Sequence, residues 1–565
     1  MGCPQGSCSG PLFWSLIPDD LLTQDFMKAA HTTAYADDII IILTAKNRKQ
    51  LESNANKILK KIQYWGADNK LKFNPSKTNG IVLTGYSVEK RAPTIHIDGT
   101  PIKINNTMKY LGIVIDDKLS WTPQAEYLRD KVNTLFAWCA KVAKRDWGLS
   151  GESLKLVYTG AVLPMVTYGA AAWGHTVQHV HIQRKLLSIQ RKVLLRITRA
   201  YRTTSNDALH VLAGVLPLDL AVQQRKDFYF LKVHHRTPEY LPDIPLVESP
   251  VHVNNRLCIR EIPIIRVTKY NAKYKKNIYT DGSKSSNGVG AAFTYFYNGK
   301  ETYHQKWRLG DSCSNYQAEL LAIHKAVHWC HKVHHKSTLN INTDSQSALS
   351  AIQDKNNTDS LVQNIWKELN LGRNNNVINF SWVRAHCGTT GNERADNLAK
   401  EASAQCTTVA YKKTPRNNVK HRIKVHYITQ WQERWRHSTR GRGLYSFIPD
   451  IHQRMKNKHL VINHHTTTFF SYHDDFNAYL FKYGHSWSNL CAVCGKVEDP
   501  DHAIYDCILF ERERLELRTI TEEEGLQWPT TKPSMMCNKN LYRTLYELIK
   551  NYSKYKTNYS NLTTV

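Results

Sequence analysis

Residues 277–309, NIYTDGSKSSNGVGAAFTYFYNGKETYHQKWRL, predict three successive β-strands separated by short polar turns. The next segment, NYQAELLAIHKAVHWC (315–330), is typical of a helix, and LNINTDSQSALSAI (339–352) of a strand that leads into a helix. Alternating apolar residues in VINFSWV (377–383) indicate a further strand, and GNERADNLAKEAS (391–403) a last helix. This order predicts an α/β domain over residues 275–404, with a mixed five-stranded sheet and flanking helices.

Four acidic residues lie where these elements would bring them together. Asp281 comes at the end of the first strand, and Glu319 lies in the first helix. Asp344 ends the fourth strand, before Ser345 as a helix N-cap, and Asp396 lies in the last helix. Converging carboxylates repel one another unless cations neutralise them, and hard divalent ions prefer such oxygen ligands. We therefore expect a site for two magnesium or manganese ions, which can activate water for phosphodiester hydrolysis.

The short motifs that contain these acids resemble those of the ribonuclease H family in residues and in order. They are TDGS (280–283), QAEL (317–320), TDSQSAL (343–349) and GNERADNLAK (391–400). The resemblance implies endonucleolytic cleavage of the RNA strand of an RNA–DNA hybrid. It also implies that the four acids hold two magnesium ions. His386, in VRAHCGTTGNERAD (383–396), matches a loop histidine that assists proton handling and product release. The resemblance further implies nucleic-acid contacts for three polar residues: Asn315, Gln346 and Asn392.

At the N-terminal end, HTTAYADDIIIILTA (31–45) predicts a β-hairpin with Asp37 and Asp38 at its tip. IHIDGTPIKI (95–104) predicts a second hairpin that turns at Asp98-Gly99, and YLGIVID (110–116) a strand. From about residue 120 to 240 the apolar spacing is helical. The segment 237–275 contains five prolines and predicts a linker.

The segments GCPQGSCSGPLFWSL (2–16), AYADDIIII (34–42), LKFNPSKT (71–78) and YLGIVID (110–116) resemble reverse transcriptases of non-LTR, jockey-like retrotransposons. LPLDLAVQQRKDFYF (216–230) is similar to the same family. The resemblance implies a partial palm and a helical thumb. It also implies that Asp37 binds catalytic magnesium and that Asp38 supports this metal site. By the same resemblance, Gln5 packs on the template–nucleotide pair and Lys77 lies near the incoming triphosphate. Because a further metal-binding aspartate precedes this motif in the family, we expect a cut edge at Met1 and an incomplete polymerase site.

A third cluster, CAVCGKVEDPDHAIYDC (491–507), has the spacing Cys491-x2-Cys494-x7-His502-x4-Cys507. Three thiols and one imidazole in so short a segment predict a tetrahedral zinc site. Four protein ligands indicate a structural site that folds its own segment. The cluster resembles the C-terminal zinc knuckle of the same retrotransposon group, which implies nucleic-acid binding. The histidines that follow the first helix are interpreted as solvated side chains: His324, His328, His331, His334 and His335.

The chain of 565 residues contains 76 Lys and Arg against 48 Asp and Glu, a net charge of +28. Such a charge favours nucleic-acid partners: an RNA–DNA hybrid, RNA and DNA. Residues 411–442 carry ten Lys or Arg and one acid among aromatic residues. The aromatic residues either stack on bases or belong to a core face, since Val425, Ile428, Trp431 and Trp435 have helical spacing. The longest uncharged stretch, 156–174, is interpreted as a buried helix broken at Pro164, so no membrane partner is expected.

Together these observations predict a multidomain α+β and α/β protein that is the C-terminal portion of a retrotransposon polyprotein. The predicted activity is ribonuclease H. The alternatives are an RNA-directed DNA polymerase or a catalytically inactive nucleic-acid-binding remnant. The family and the scattered cysteines imply an intracellular protein in nuclear and cytoplasmic ribonucleoprotein. The predicted order is partial palm (1–118), helical thumb (119–240), linker (241–274), ribonuclease H domain (275–404), basic aromatic connector (405–484), zinc knuckle (485–512) and tail (513–565).

Overall fold

A computed structural model of the chain describes residues 6–24, 26, 29–83, 91–142, 148–244, 246–372, 375–473 and 476–563. The chain divides into two compact units. The first comprises residues 1–219, 440–447 and 459–565, and the second comprises residues 220–439 and 448–458. Helices and strands are numbered along the chain.

The N-terminal acids lie at the tip of a hairpin, as predicted. Tyr35 pairs with Asp38, and Ala36 takes a left-handed φ of 51° in the turn between them. The apolar faces of the hairpin and two helices enclose a small core around Ile62 and Trp65. The elements are α1 (Gly10–Leu22), β1 (Ala30–Tyr35), β2 (Asp38–Leu43) and α2 (Arg48–Asp68).

Short strands continue the first unit as far as residue 116. Asp98 and Gly99 both have positive φ, which confirms the predicted tight hairpin turn. The single strand predicted over 110–116 is wrong, because Leu111 and Gly112 also have positive φ and reverse the chain. The strands are β3 (Asn79–Gly80), β4 (His96–Ile97), β5 (Thr100–Pro101), β6 (Lys103–Ile104), β7 (Thr107–Tyr110) and β8 (Ile113–Asp116).

The next segment is helical, as predicted, but the break predicted at Pro164 is wrong. A π-helical turn over Tyr158–Val162 opens the backbone hydrogen bonding ahead of Pro164, so the proline fits the first turn of the next segment. The chain bends instead at Tyr168, which is extended, and Gly169, whose φ is 63°. The helices are α3 (Thr122–Val142), α4 (Gly151–Val157), α5 (Leu163–Thr167), α6 (Ala170–Trp173), α7 (Val180–Thr198), α8 (Asn206–Ala213) and α9 (Leu218–Val233).

Within the described part of the chain, no single helix has the length and apolar composition needed to cross a membrane. One bent pair, residues 151–167 and 170–178, meets that requirement only when taken together, with an angle of 53° between its members.

The second unit is built on a mixed sheet that contains seven strands in the described residues, in the order β15-β12-β11-β10-β13-β14-β9. The prediction of five strands is therefore wrong. Two three-residue edge strands come from segments assigned to the linker and to the connector, and each pairs in parallel with its neighbour. The strands are β9 (Val267–Lys269), β10 (Lys276–Ser285), β11 (Gly288–Tyr297), β12 (Lys300–Leu309), β13 (Ser337–Thr343), β14 (Asn376–Trp382) and β15 (Val409–Tyr411).

Helices cover both faces of this sheet. Successive side chains of a strand point to opposite faces, and β11 shows both directions. A Cβ on Gly290 would lie 2.1 Å from the carbonyl oxygen of Ala399 in α13, whereas the Phe293 ring lies 5.5 Å from that of Trp329 in α10. The helices are α10 (Asn315–Val333), α11 (Gln346–Gln353), α12 (Ser360–Leu371) and α13 (Thr390–Gln405).

The histidines of α10 are not all solvated side chains, which corrects the sequence interpretation. Both ring nitrogens of His331 are buried without a hydrogen-bond partner among the described residues. A Cβ on Gly372 would lie 1.9 Å from that ring, so the ring fills space that only glycine leaves open. His328 is exposed, and its Nδ1 lies 3.2 Å from Glu368.

The basic aromatic segment forms a core face that includes Trp431 and Trp435, as predicted, but not Val425, which is 39% exposed, or Ile428, which is half-buried. α14 buries a stripe of residues at intervals of four, which places them on one side of a helix. The indole N–H of Trp435 donates to the carbonyl oxygen of Ile448 at 2.8 Å. The buried stripe is Val419, Ile423, Tyr427, Trp431 and Trp435. The helices are α14 (Arg416–His437), α15 (Arg442–Phe447) and α16 (Ile451–Lys456).

The predicted C-terminal tail is largely helical and packs on the cysteine–histidine segment. Lys556 and Glu498 form an ion pair at 2.9 Å in which the two side chains are 8% and 5% exposed. The Tyr552 hydroxyl donates to the same carboxylate at 3.1 Å. The helices are α17 (His464–Ser471), α18 (Asn477–Lys482), α19 (Pro500–Tyr505), α20 (Glu511–Glu523), α21 (Lys532–Cys537) and α22 (Lys539–Thr563).

Replacing Lys556 with methionine should destabilise the first unit by about 3–5 kcal/mol, because it leaves Glu498 charged and buried without its cation. Thermal and urea unfolding followed by circular dichroism measure this effect. Lys550→Met is the matched control, since Lys550 pairs with Glu547 on the exposed side of the same helix and should cost less than about 1 kcal/mol. Equal losses in the two variants would contradict the prediction.

Candidate active site and metal centres

The register of two parallel strands brings Asp281 and Asp344 together. Thr280 of β10 pairs with Thr343 of β13, and each aspartate is the next residue along its strand direction. Asp344 follows the end of β13, and the Ser345 side chain caps α11, as predicted. Asp281 does not end its strand, because β10 continues to Ser285.

Glu319 reaches the two aspartates from the first turns of α10. That helix begins with a capping box in which Ser314 and Gln317 satisfy each other's backbone N–H groups. Gly282 lets the helix approach β10, because a Cβ there would lie 2.5 Å from the backbone nitrogen of Glu319. One carboxylate oxygen of Glu319 is buried without a hydrogen-bond partner among the described residues. The glutamate is therefore held at the site by backbone packing.

Ligand atoms of Asp281, Glu319 and Asp344 all lie within 4.8 Å of one another. Burial, together with the charges of Asp344 and Asp396, raises the pKa of Asp281 to about 8. Burial, with the charges of Asp281 and Asp344, also raises the pKa of Glu319 well above its usual value. Three crowded carboxylates with an unpartnered oxygen fit divalent cations that take oxygen ligands.

Two contacts orient Asp344. The amide of Asn392, a buried side chain of α13, donates to its carboxylate at 3.1 Å. The indole N–H of Trp382 donates to its backbone carbonyl oxygen at 3.0 Å. Sequence reasoning assigned Asn392 to nucleic-acid contact, whereas here its amide supports an acid of the site. It missed Trp382, which only the alternation along β14 could have suggested.

Asp396 lies near the cluster but is not among the three acids whose ligand atoms share a common 4.8 Å range. Its carboxylate accepts from Lys400 at 2.7 Å, one turn further along α13. Lys400 was not predicted to take part in the site, although the i,i+4 spacing of opposite charges was a usable signal. One carboxylate of the quartet is therefore paired with a lysine, whereas the other three converge.

The other site residues predicted for this domain are exposed, on a loop and at two helix starts around the cluster. His386 is exposed on the loop between β14 and α13 and has a left-handed φ of 52°. Asn315 and Gln346 are exposed at the first positions of α10 and α11, the helices that begin beside Glu319 and Asp344. The structure places these three side chains at the surface.

The raised pKa of Asp281 predicts a pH-dependent stability. In the unfolded chain an aspartate has a pKa of about 3.9, whereas in the metal-free fold its pKa is about 8. The folded state therefore binds more protons between these values, and stability is lost as pH rises towards 8. From pH 5 to pH 8 we expect the melting temperature of the metal-free protein to fall relative to that of Asp281→Asn.

Scanning calorimetry across this range, with and without saturating magnesium, measures the difference. Magnesium should reduce it, since a bound cation stabilises the ionised carboxylates. Parallel pH profiles for the two metal-free proteins would contradict the assignment.

The predicted zinc ligands also come together. Ligand atoms of Cys491, Cys494, His502 and Cys507 lie within 4.8 Å of one another. The Cys494 and Cys507 sulfurs are 3.7 Å apart, which fits the edge of a tetrahedron with metal–sulfur bonds of about 2.3 Å. Both nitrogens of the buried His502 ring have no hydrogen-bond partner among the described residues. The donor set therefore fits a tetrahedral thiophilic metal.

The surroundings act in opposite directions on two of these thiols in the metal-free protein. Burial opposes ionisation of Cys494, but the backbone N–H of Ile508, 3.4 Å from its sulfur, and the neighbouring thiols lower its pKa. Burial raises the pKa of Cys507 to about 12. The thiols are free, with no disulfide among the described cysteines.

The N-terminal candidates are less constrained. Asp37 and Asp38 are both exposed at the hairpin tip, and Lys77 is exposed in a turn closed by its own N–H to the Asn74 carbonyl oxygen. Gln5 lies outside the described residues.

The fold and the acid cluster define a class of nucleic-acid-processing enzyme, and comparison with known families agrees. Residues 273–404 match the ribonuclease H family, and residues 1–115 match the family described as reverse transcriptase (RNA-dependent DNA polymerase). The chain thus carries a ribonuclease H domain and a reverse transcriptase domain.

The chain is similar to proteins of mobile elements. The chain is 35% identical over 231 residues to a putative 115 kDa protein in a type-1 retrotransposable element of Drosophila melanogaster, covering 41% of this chain and 22% of that protein. It is 32% identical to the Pol polyprotein of element R1 of Bradysia coprophila, over 40% of this chain and 22% of that protein. It is 30% identical to a Pol polyprotein of element R1 of Nasonia vitripennis, over 39% of this chain and 66% of that protein. The matched part thus spans about a fifth of the first two relatives. The chain is related to the Pol polyproteins of non-LTR retrotransposons.

Proposed function

We propose that the second unit is a metal-dependent ribonuclease H that hydrolyses the RNA strand of an RNA–DNA hybrid by the two-metal route. The observation that carries the proposal is the convergence of Asp281, Glu319 and Asp344 within 4.8 Å at one end of the sheet. The net charge of +28 supports a polyanionic substrate.

Asp281, Glu319 and Asp344 would hold the metal ions, with Asp396 at their margin. Bound divalent ions supply activation of water and stabilisation of the leaving oxygen. The chain's own contribution is orientation: Asn392 and Trp382 fix Asp344, and Gly282 admits Glu319. Lys400, whose ammonium lies 2.7 Å from the Asp396 carboxylate, would offset part of the negative charge at the edge of the cluster.

The surface residues receive supporting roles in this proposal. His386, on a loop that leads into α13, would move protons during hydrolysis and release of the product. Asn315 and Gln346, at helix starts beside Glu319 and Asp344, would contact the backbone of the hybrid or its 2′-hydroxyl groups. A 2′-hydroxyl is the group by which such contacts select RNA over DNA.

We also propose that Cys491, Cys494, His502 and Cys507 bind one structural zinc ion and that the resulting knuckle contacts nucleic acid. The short sulfur–sulfur distance and the unpartnered imidazole of His502 support the metal. Lys496, exposed within the knuckle, provides positive charge for a phosphate.

The direct test uses the full chain, magnesium and a hybrid whose RNA and DNA strands carry different labels. We expect cleavage of the RNA strand alone, with 5′-phosphate and 3′-hydroxyl ends, and no cleavage of single-stranded RNA. A full-length RNA strand after incubation with excess enzyme would overturn the proposal.

RNA-directed DNA polymerase activity is the second candidate. It rests on the family match of residues 1–115 and on the adjacent carboxylates of Asp37 and Asp38 at the hairpin tip. Primer extension on an RNA template tests it directly, and loss of extension in Asp37→Asn would tie it to this hairpin.

A further inference from the structure

An open groove of about 550 Å³ lies on the α10 side of the sheet, between the second half of α10 and the strands β11 and β12. Aromatic rings form much of its wall, and lysines stand at its rim. Its principal residues are Tyr295, Tyr303, Trp307, Lys325, Trp329 and Lys332.

The groove is on the opposite face of the sheet from the Asp281 carboxylate. Asp281 pairs with Ala292, which packs against Ala399 of α13. The next residue of β11, Phe293, points the other way, as does Tyr295, which pairs with Tyr303. Along α10, Trp329 follows Glu319 by ten residues, a rise of about 15 Å. The groove is therefore separate from the acid cluster.

The rings form a layered surface with an accessible outer member. The Tyr303 and Trp329 rings are stacked, with centroids 5.1 Å apart and planes 9° apart. Trp329 is buried, whereas Tyr303 remains 37% exposed. The Tyr295 ring packs against Trp329 at 4.9 Å and supports the layer from the sheet. An exposed ring stacked on a buried one is suited to stacking on a planar ligand.

Cationic groups accompany these rings. The Lys325 ammonium lies 5.8 Å from the centroid of the Trp307 ring. Lys332 is exposed about two helical turns further along α10. His328 and His334 also line the groove. Among the described residues that line it there is no carboxylate. Flat rings beside positive charges fit bases and phosphates together.

We propose that this groove is a second nucleic-acid site that binds a single strand, with a base stacked on Tyr303 and phosphates at Lys325 and Lys332. A duplex keeps its bases stacked inside, whereas a single strand can present one to an exposed ring. The site goes beyond the proposed cleavage activity and does not depend on it. It would hold an unpaired stretch of a strand while the opposite face of the sheet acts on the hybrid.

The test measures binding of a fluorescent twelve-nucleotide oligo(dT) to the full chain by anisotropy. Lys325→Glu/Lys332→Glu is compared with Lys355→Glu/Lys367→Glu, which makes the same charge change at exposed lysines outside the groove. We expect affinity to fall about tenfold in the groove variant and its salt dependence to weaken by about 1.4 in slope. The control should lose less than about threefold. Equal losses would overturn the proposal.

A photochemical arm identifies the stacking residue. Oligo(dT) carrying 5-iodouracil should cross-link to Tyr303 or Trp307, as mapped by mass spectrometry, and Tyr303→Ser should reduce the yield and the affinity. Cross-links confined to other parts of the chain would overturn the proposal. Full displacement by polyglutamate at equal charge concentration would also overturn it, since the groove would then recognise charge alone.

Hybrid cleavage provides the independent control. The groove variants should cleave a short hybrid at the wild-type rate, because Lys325 and Lys332 lie away from the carboxylates. Failure of cleavage in the wild type would contradict the proposed nuclease and leave the oligo(dT) result unaffected.

Discussion

Replacing Asp344 with asparagine should reduce cleavage of the RNA strand by about 10³-fold or more, the scale expected when a charge-stabilising group is removed from an active site. The substitution keeps the shape of the side chain and an oxygen that can still accept from the Asn392 amide. It removes one of the three carboxylates whose ligand atoms converge within 4.8 Å. Product formation at saturating hybrid and magnesium, in a single-turnover assay, measures the loss.

Stability separates this loss from misfolding. The charge of Asp344 raises the pKa of both Asp281 and Glu319, so its removal relieves repulsion in the metal-free protein. We therefore expect the metal-free variant to melt at the same temperature as the wild type or higher. A variant that is inactive because it unfolds would melt lower.

Asp354→Asn is the matched control, because Asp354 is exposed just after α11, while Asp344 lies just before that helix. Its activity should equal that of the wild type. If Asp344→Asn retained the wild-type rate, the observed cleavage would have to come from another site or from a contaminating nuclease.

The identities of the four acids could be predicted from the sequence because each one lies within a short motif typical of the family. Their convergence depends on pairing between distant strands, such as Thr280 with Thr343. The parallel pairing of β10 with β13 is the one that a connection through a helix favours, but it was not predicted from the sequence. The separation of Asp396 from the other three acids could not be predicted from the sequence, because its contact with Lys400 depends on side-chain rotamers.

The edges of the sheet were beyond sequence reasoning for a different reason. Residues Val267–Lys269 and Val409–Tyr411 are too short to show alternation, and they are strands only because β14 and β12 offer them partners. The groove on the other face was missed for a similar reason. Trp307 and Trp329 each look like ordinary core residues in sequence, and only the register of β12 with β11 places Tyr303 beside them as an exposed layer.

The aromatic stripe of α14 shows what the burial of side chains adds to their spacing. The sequence left base stacking and core packing open for residues 411–442. The five buried side chains at intervals of four settle the helical face, because no ligand could reach rings that are less than a tenth exposed. Exposed lysines and arginines of the same helix lie on its other sides, where charge costs little.

Removing the metal from the cysteine–histidine cluster should unfold the C-terminal part of the first unit. A structural zinc ion in such a small site contributes on the order of 10 kcal/mol to folding, which exceeds the total stability of many domains. Cys494→Ser should therefore bind no zinc and lose helical signal, and a chelator should do the same to the wild type. Elemental analysis and circular dichroism measure the two effects.

Cys537→Ser is the control, because Cys537 is an exposed free thiol of α21 and not one of the four ligands. It should retain one zinc ion per chain and the wild-type melting temperature. A wild-type chain that binds no zinc, yet is folded and resists proteolysis over residues 459–565, would contradict the prediction.

The unfolding should extend beyond the four ligands, because the knuckle and the last helix share a buried ion pair. Glu498 lies between Cys494 and His502, and its carboxylate accepts from Tyr552 and Lys556 of α22. Without the metal the loop that carries Glu498 loses its cross-link, so Lys556 is left with a buried charge and the helix loses its anchor. Limited proteolysis of Cys494→Ser should consequently cleave within α22 as well as within residues 489–510. Cleavage confined to the knuckle would show that the helix folds independently of the metal.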